Sequence, residues 1–177
     1  MDSDSDVPHF ISKANIAKYL RKKSEGKMTW TVLRPTAFMD NLTTSFAGKI
    51  FPTPWKAGLS PNTKLQLISS ADIGYFAAQA LVRPKEFAGR AISLAGDDLT
   101  FDEANTVFKE KFGEDIPTTF GFVGSGLIWA IKDVGMMFKF FEEVRYGADI
   151  QALRKEHPGL LSLSSWLETR SVWAAEK

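Results

Sequence analysis

The apolar positions of this chain fall into two kinds of run. Short blocks of four to six residues alternate with longer stretches whose apolar residues recur every three to four positions, the mark of strands interleaved with helices. The first periodic stretch predicts a helix over residues 12–23, with Ile16, Tyr19 and Leu20 on one face and Lys18, Arg21, Lys22 and Lys23 outside, and Gly26 as its stop. Ahead of it, residues 1–8 (MDSDSDVP) read as a flexible, exposed leader. Met28–Leu33 reads as a strand that ends at Arg34-Pro35, because proline has no N–H for a ladder. Residues 36–63, punctuated by Pro52, Pro54, Pro61, Gly48 and Gly58, read mostly as loop.

Leu65–Ile68 and Arg90–Leu94 are two further strands. Between them, Ser69–Val82 is a helix opened by Ser-x-x-Asp capping spacing, with Ile73, Phe76, Ala77, Ala80 and Leu81 on its apolar face. Thr100 and Glu103 form a second capping box, opening a helix that closes at Gly113. Ser125–Val144 is the most apolar helix, and short helices over about Asp149–Glu156 and Ser164–Trp173 finish the chain. The class is α/β. Three short strands are few for a parallel sheet covered on both faces, so they read as part of a larger one.

Composition narrows the function classes. At 44% apolar and 12% aromatic residues the chain folds rather than remaining disordered. Its net charge of +1, without a long basic run, argues against nucleic acid as a partner. The absence of cysteine excludes disulfides, thiolate catalysis and zinc–thiolate sites, and two histidines cannot build a His-rich metal centre. The uncharged stretch from Ile116 to Ile131 holds three glycines and a proline and is too short to span a bilayer. With no apolar segment at the acidic start, the expected location is cytoplasmic, with no membrane contact.

Four segments carry candidate chemistry. His9 and Lys13 lie one helical turn apart, which puts a potential proton donor and a cation on one face; an ordinary exposed histidine and a solvated lysine fit the same spacing. Pro35, Thr36, Phe38, Met39 and Asn41 follow a strand, where ligands bind in α/β folds; Phe38, Met39 and Asn41 are pocket candidates, and a plain strand-ending turn is the alternative. Trp129, Met137, Phe138 and Phe141 form either one wall of a hydrophobic pocket or core packing. The Gly121-x-x-Gly124-x-Gly126 run lacks dinucleotide-binding spacing and reads as a flexible helix entry.

Five spaced blocks, VPHFISKANIAKYL, TWTVLRPTAFMDNL, SADIGYFAAQAL, GRAISLAGDDLTFDEA and RYGADIQALRKEHP, together resemble the fungal NmrA-like family of atypical short-chain dehydrogenase/reductases. The resemblance spans about Val7 to Trp173. It implies the C-terminal part of a Rossmann-like NAD(P)-binding fold plus a mostly helical substrate subdomain, the whole chain being one truncated domain. The family's Tyr-x-x-x-Lys pair is matched by His9-x-x-x-Lys13, so the resemblance gives Lys13 the nicotinamide ribose and puts His9 where the tyrosine stands. Pro35, Thr36 and Phe38 match the loop bordering the nicotinamide, and Asp72-Ile73-Gly74 a structural helix start. NADP or NAD is the implied cofactor. The family's Gly-x-x-Gly-x-x-Gly turn is missing from this sequence, so weak or absent dinucleotide binding is expected.

Three functions follow. One is an NAD(P)-linked oxidoreductase or nucleotide-sensing protein, seen from its substrate-side half. A second is a cofactor-free isomerase, dehydratase or cyclase, or a ligand-binding protein of fungal secondary metabolism, with His9 as base. A third is a non-catalytic interaction module. The expected partners are a hydrophobic small molecule and a second copy or another protein covering the exposed sheet edge.

Overall fold

A computed structural model describes residues 6–119 and 132–176. The first helix, α1 (Pro8–Ser24), starts earlier than its apolar spacing predicts. Pro8 occupies the first turn, where its missing N–H costs nothing. Val7 is buried and its carbonyl accepts from the N–H groups of Phe10 and Ile11, so residues 7 and 8 do not belong to an exposed leader. Arg21, Lys22 and Lys23 complement the negative end of the helix dipole, and Gly26, at φ 66°, turns the chain beyond it. The predicted inner face is wrong: Ile16 and Tyr19 are 60% and 64% exposed, and only Ala17 and Ser24 are buried.

β1 (Thr31–Pro35) pairs in parallel with β4 (Arg90–Leu94), from Thr31 opposite Arg90 to Pro35 opposite Leu94. The strand thus includes the proline expected to end it. Backbone N–H groups alternate sides along a strand, and the Thr36 N–H donates to the Leu94 carbonyl. The Pro35 nitrogen therefore faces away from β4, on an edge where no donor is needed.

Two strands too short to show periodicity, β2 (Ala37–Phe38) and β5 (Asp97–Leu99), flank β3 (Leu65–Ile68), parallel and antiparallel respectively. All four residues of β3 are buried. Its one polar side chain, Gln66, is satisfied at both ends of its amide by the N–H and carbonyl of Ala148, each at 3.0 Å.

The remaining helices cover these strands. A short helix, α2 (Pro52–Gly58), precedes β3 and buries Trp55. α3 (Ser70–Val82) is capped by the Ser69 hydroxyl, which accepts from the Ala71 N–H, and is followed by a single turn, α4 (Pro84–Phe87). α5 (Phe101–Phe112) carries the predicted capping box of Thr100 and Glu103 and ends at Gly113 with φ 78°. α6 (Lys132–Glu143), α7 (Ile150–Glu156) and α8 (Leu163–Thr169) complete the set.

One core gathers Met39, Trp55, Phe108, Phe138, Phe141, Leu163, Trp166 and Leu167. A second gathers Ile68, Phe76, Phe87, Ile92, Leu94, Leu153 and Leu160. Gly96 joins β4 to β5. Its N–H donates to the Leu67 carbonyl at 2.7 Å, its carbonyl accepts from Arg154 Nη2 at 3.1 Å, and a Cβ there would overlap the Leu161 carbonyl.

A cleft between the first helix and the aromatic helix

A cleft of about 1300 Å3 opens between α1, the carboxyl end of β1 and α6. Along α1 it is lined by His9, Phe10 and Lys13 among others. The i, i+4 spacing puts His9 and Lys13 on one wall, and both are exposed. Pro35, Thr36, Phe38 and Asn41 line the side formed by the end of β1 and the loop after it, and Met137, Phe138 and Phe141 the side formed by α6. Trp129 and the glycine run Gly121–Gly126 lie outside the described residues.

Not all of these side chains are available to a ligand. The Thr36 hydroxyl is buried and donates to the Leu94 carbonyl at 3.0 Å, so it anchors the strand end. Met39 must be corrected outright. It does not line the cleft; it is fully buried in the first core, because the 3-10 turn Met39–Asn41 swings it inward while Phe38 and Asn41 stay exposed. The neighbouring Asp40, which the sequence reading passed over, accepts from the N–H and the hydroxyl of Ser70 at 2.8 and 2.6 Å, tying this loop to the start of α3.

The aromatic wall is continuous. Phe10 meets Phe140 edge-on at 5.2 Å between ring centroids, and Phe141 lies 5.6 Å from Phe138 and 5.0 Å from Tyr146. These contacts hold α1 against α6. Tyr146 also lines the cleft, and burial pushes its phenol well above the usual tyrosine range, so it stays protonated at neutral pH. It follows Arg145, which closes α6 in the left-handed region at φ 67°, its N–H on the Phe140 carbonyl. The only sequence signal for Tyr146 was its place in the Arg145-Tyr146-Gly147 block.

The other histidine serves a different end. His157 Nε2 lies 3.0 Å from Asp72 Oδ1, and its ring stacks on Tyr75 with centroids 3.7 Å apart. The other carboxylate oxygen of Asp72 accepts from the Leu161 N–H at 3.3 Å. Burial raises the Asp72 pKa above its ordinary value, against the lowering effect of the Leu161 N–H and of His157. The Ser69-x-x-Asp72 spacing is therefore not a reciprocal capping box, since the carboxylate leaves its own helix. Neither residue lines the cleft, and the group is closed by packing. Among the described residues no three His, Asp or Glu side chains are grouped as metal ligands, and no helix is long and apolar enough to cross a membrane.

Comparison with known proteins agrees with this architecture. A family model, the NmrA-like family, matches residues 2–167. An NmrA-like family domain-containing oxidoreductase from Gibberella moniliformis is 31% identical over 112 residues, covering 62% of this chain and 36% of that protein. The crystal structure of NmrA, a negative transcriptional regulator, in complex with NADP superposes with a TM-score of 0.61 at 14% identity, over 91% of this chain and 57% of that one. A nucleoside-diphosphate-sugar epimerase from Staphylococcus aureus gives 0.63 at 14%, over 94% and 61%. The chain thus spans about a third of the curated relative and little more than half of these structures. The fold is Rossmann-like α/β. With its family model matched over most of its length, this chain belongs to the NmrA-like family.

Proposed function

We propose that this chain builds the nicotinamide-facing and substrate-facing wall of an NAD(P)-linked oxidoreductase of NmrA-like type. The observation that carries the reading is the shared cleft. His9 and Lys13 open onto the same space as Pro35 and Phe38 at the carboxyl end of β1 and the apolar residues of α6. The relatives support it, one being named an oxidoreductase and another structure holding NADP.

When bound, NAD(P) supplies the hydride donor or acceptor. The Lys13 ammonium would hold the ribose hydroxyls, Pro35 and Phe38 would pack on the nicotinamide ring, and Met137, Phe138 and Phe141 would keep water from the reacting carbon. His9 would exchange a proton with the substrate oxygen. Thr36 takes no part, its hydroxyl being committed to Leu94.

The fit covers one end of the cofactor. No described residues form a glycine-rich turn for the pyrophosphate, so NADP gains little over its nicotinamide half. NMR titrations with nicotinamide mononucleotide and with NADP are expected to perturb the same cleft resonances with similar, millimolar affinities, and Lys13→Ala weakens both. If neither nucleotide perturbs the cleft, the reading fails; a micromolar dissociation constant for NADP refutes the one-ended fit. The negative regulator among the structural neighbours favours a second reading, nucleotide sensing without turnover. Single-turnover assays of His9→Ala separate the two, since sensing needs no proton transfer.

A further inference from the structure

The nicotinamide contacts do not take up all the basic groups of the cleft. Among the described residues that line it, every ionisable side chain apart from the Tyr146 phenol is basic: His9, Lys13, Arg34 and Arg145. None of these described lining residues is an aspartate or glutamate, although the chain carries 21 acidic residues against 22 Lys and Arg. In a nearly neutral chain, a cavity of one sign is a local property of the sequence and focuses a field that draws anions. Tyr146 does not offset it, since burial keeps its phenol protonated and therefore a donor.

These basic groups are not equivalent. The charge of Arg145 acts on Asp98, whose carboxyl burial nonetheless raises, and on Glu142, which the hydroxyl and N–H of Ser60 chiefly lower. Lys13 makes no ion pair among the described residues and projects from the α1 wall, across from the β1 end that carries Arg34. Around them the lining is apolar, with Phe10 and Met137 half-buried and Phe138 and Phe141 buried.

An anionic group on the ligand would supply the counter-charge that the exposed Lys13 ammonium lacks among the described residues. A cation would meet only repulsion. The volume of about 1300 Å3 exceeds what a single small ring fills.

We propose that the cleft takes an apolar anion, an aromatic or aliphatic body bearing a single carboxylate. The body lies on Phe10 and Met137, and the carboxylate takes a donor of the Lys13 ammonium beside those given to the ribose. The inference rests on reading this cleft as the substrate wall and adds the chemical class of the substrate. The test compares 2-naphthoate with 2-naphthamide, which share a ring system and differ in charge, by titration calorimetry on the whole chain without nucleotide. Naphthoate is expected to bind about 10-fold tighter at low salt, with the preference shrinking as salt screens the charges.

Lys13→Met should bring the two ligands within about 2-fold, while Lys18→Met, exposed on α1 outside the cleft, keeps the preference. Equal or tighter binding of the amide, binding of neither ligand, or an undiminished preference in Lys13→Met overturns the proposal. If nicotinamide mononucleotide perturbs the cleft but naphthoate shows no preference, only this inference fails. If naphthoate is preferred and the mononucleotide perturbs nothing, the anion site stands and the cofactor reading falls.

Discussion

Helices α1 and α3 look alike in sequence, each with apolar residues at helical spacing and a polar opposite face, yet the structure treats them differently. α3 starts from a side-chain cap and buries Phe76 in the second core, although Leu81, predicted on its apolar face, and Val82 are exposed at its end. Its Asp72 reaches His157 and the Leu161 N–H, far along the chain. α1 has no side-chain cap, exposes Ile11, Ile16 and Tyr19, and is held to the body largely through Phe10 on the aromatic face of α6. Periodicity decides which residues share a face, and only long-range partners decide whether that face is covered. One side of the molecule is locked by buried long-range bonds and the other borders an open cleft.

Breaking the lock should have the largest effect. Asp72→Ala leaves His157 and the Leu161 N–H without their buried acceptor and is expected to cost about 3 kcal/mol in urea unfolding. Asp72→Asn keeps the shape and tests the charge. Because burial raises the Asp72 pKa, the native state holds a proton that the unfolded chain has lost between the ordinary aspartate value and the folded one. Stability should therefore fall as pH rises through that window, and this slope should vanish in Asp72→Asn. Glu103 has the opposite sign. The Thr100 N–H lowers its pKa, so its contribution is present above the ordinary glutamate range and is lost as pH falls through its folded value.

A smaller loss, about 1 kcal/mol, is expected for Thr100→Ala, which removes one half of the α5 capping box. The smallest change should come on α1. Ile16→Ser is expected to stay within about 0.5 kcal/mol of the parent. If the exposed face of α1 drives self-association, this variant should also shift light scattering at high concentration toward the monomer. A parent protein that is already monodisperse there would remove that role from α1.

The sequence disclosed elements whose determinants are local. Leu65–Ile68, Arg90–Leu94 and the Thr100–Glu103 box lie where patterning and capping chemistry put them. His9 and Lys13 were placed together by helical spacing, and Pro35, Phe38 and Asn41 by their position after a strand; all line one cleft. What escaped depended on distant partners or on one-residue geometry. The Asp72–His157 pair joins residues 85 apart, so the spacing around Ser69 pointed to the wrong acceptor. Met39 and Phe38 differ by one position, and only the 3-10 turn decides which faces the core. β2 and β5, at two and three residues, carry no readable alternation.

Gly96 looks like the freest residue in its neighbourhood, a glycine in the short link between two strands. Its donor serves β3, its acceptor serves α7, and the space where a side chain would stand belongs to the Leu161 carbonyl. In a saturation scan this is a loop position where even alanine should be rejected, because the strand, the helix or the segment before α8 would have to move. An engineer seeking a site for a tag or an inserted domain should pass over it for the exposed Gly147, where a Cβ meets nothing within 4 Å.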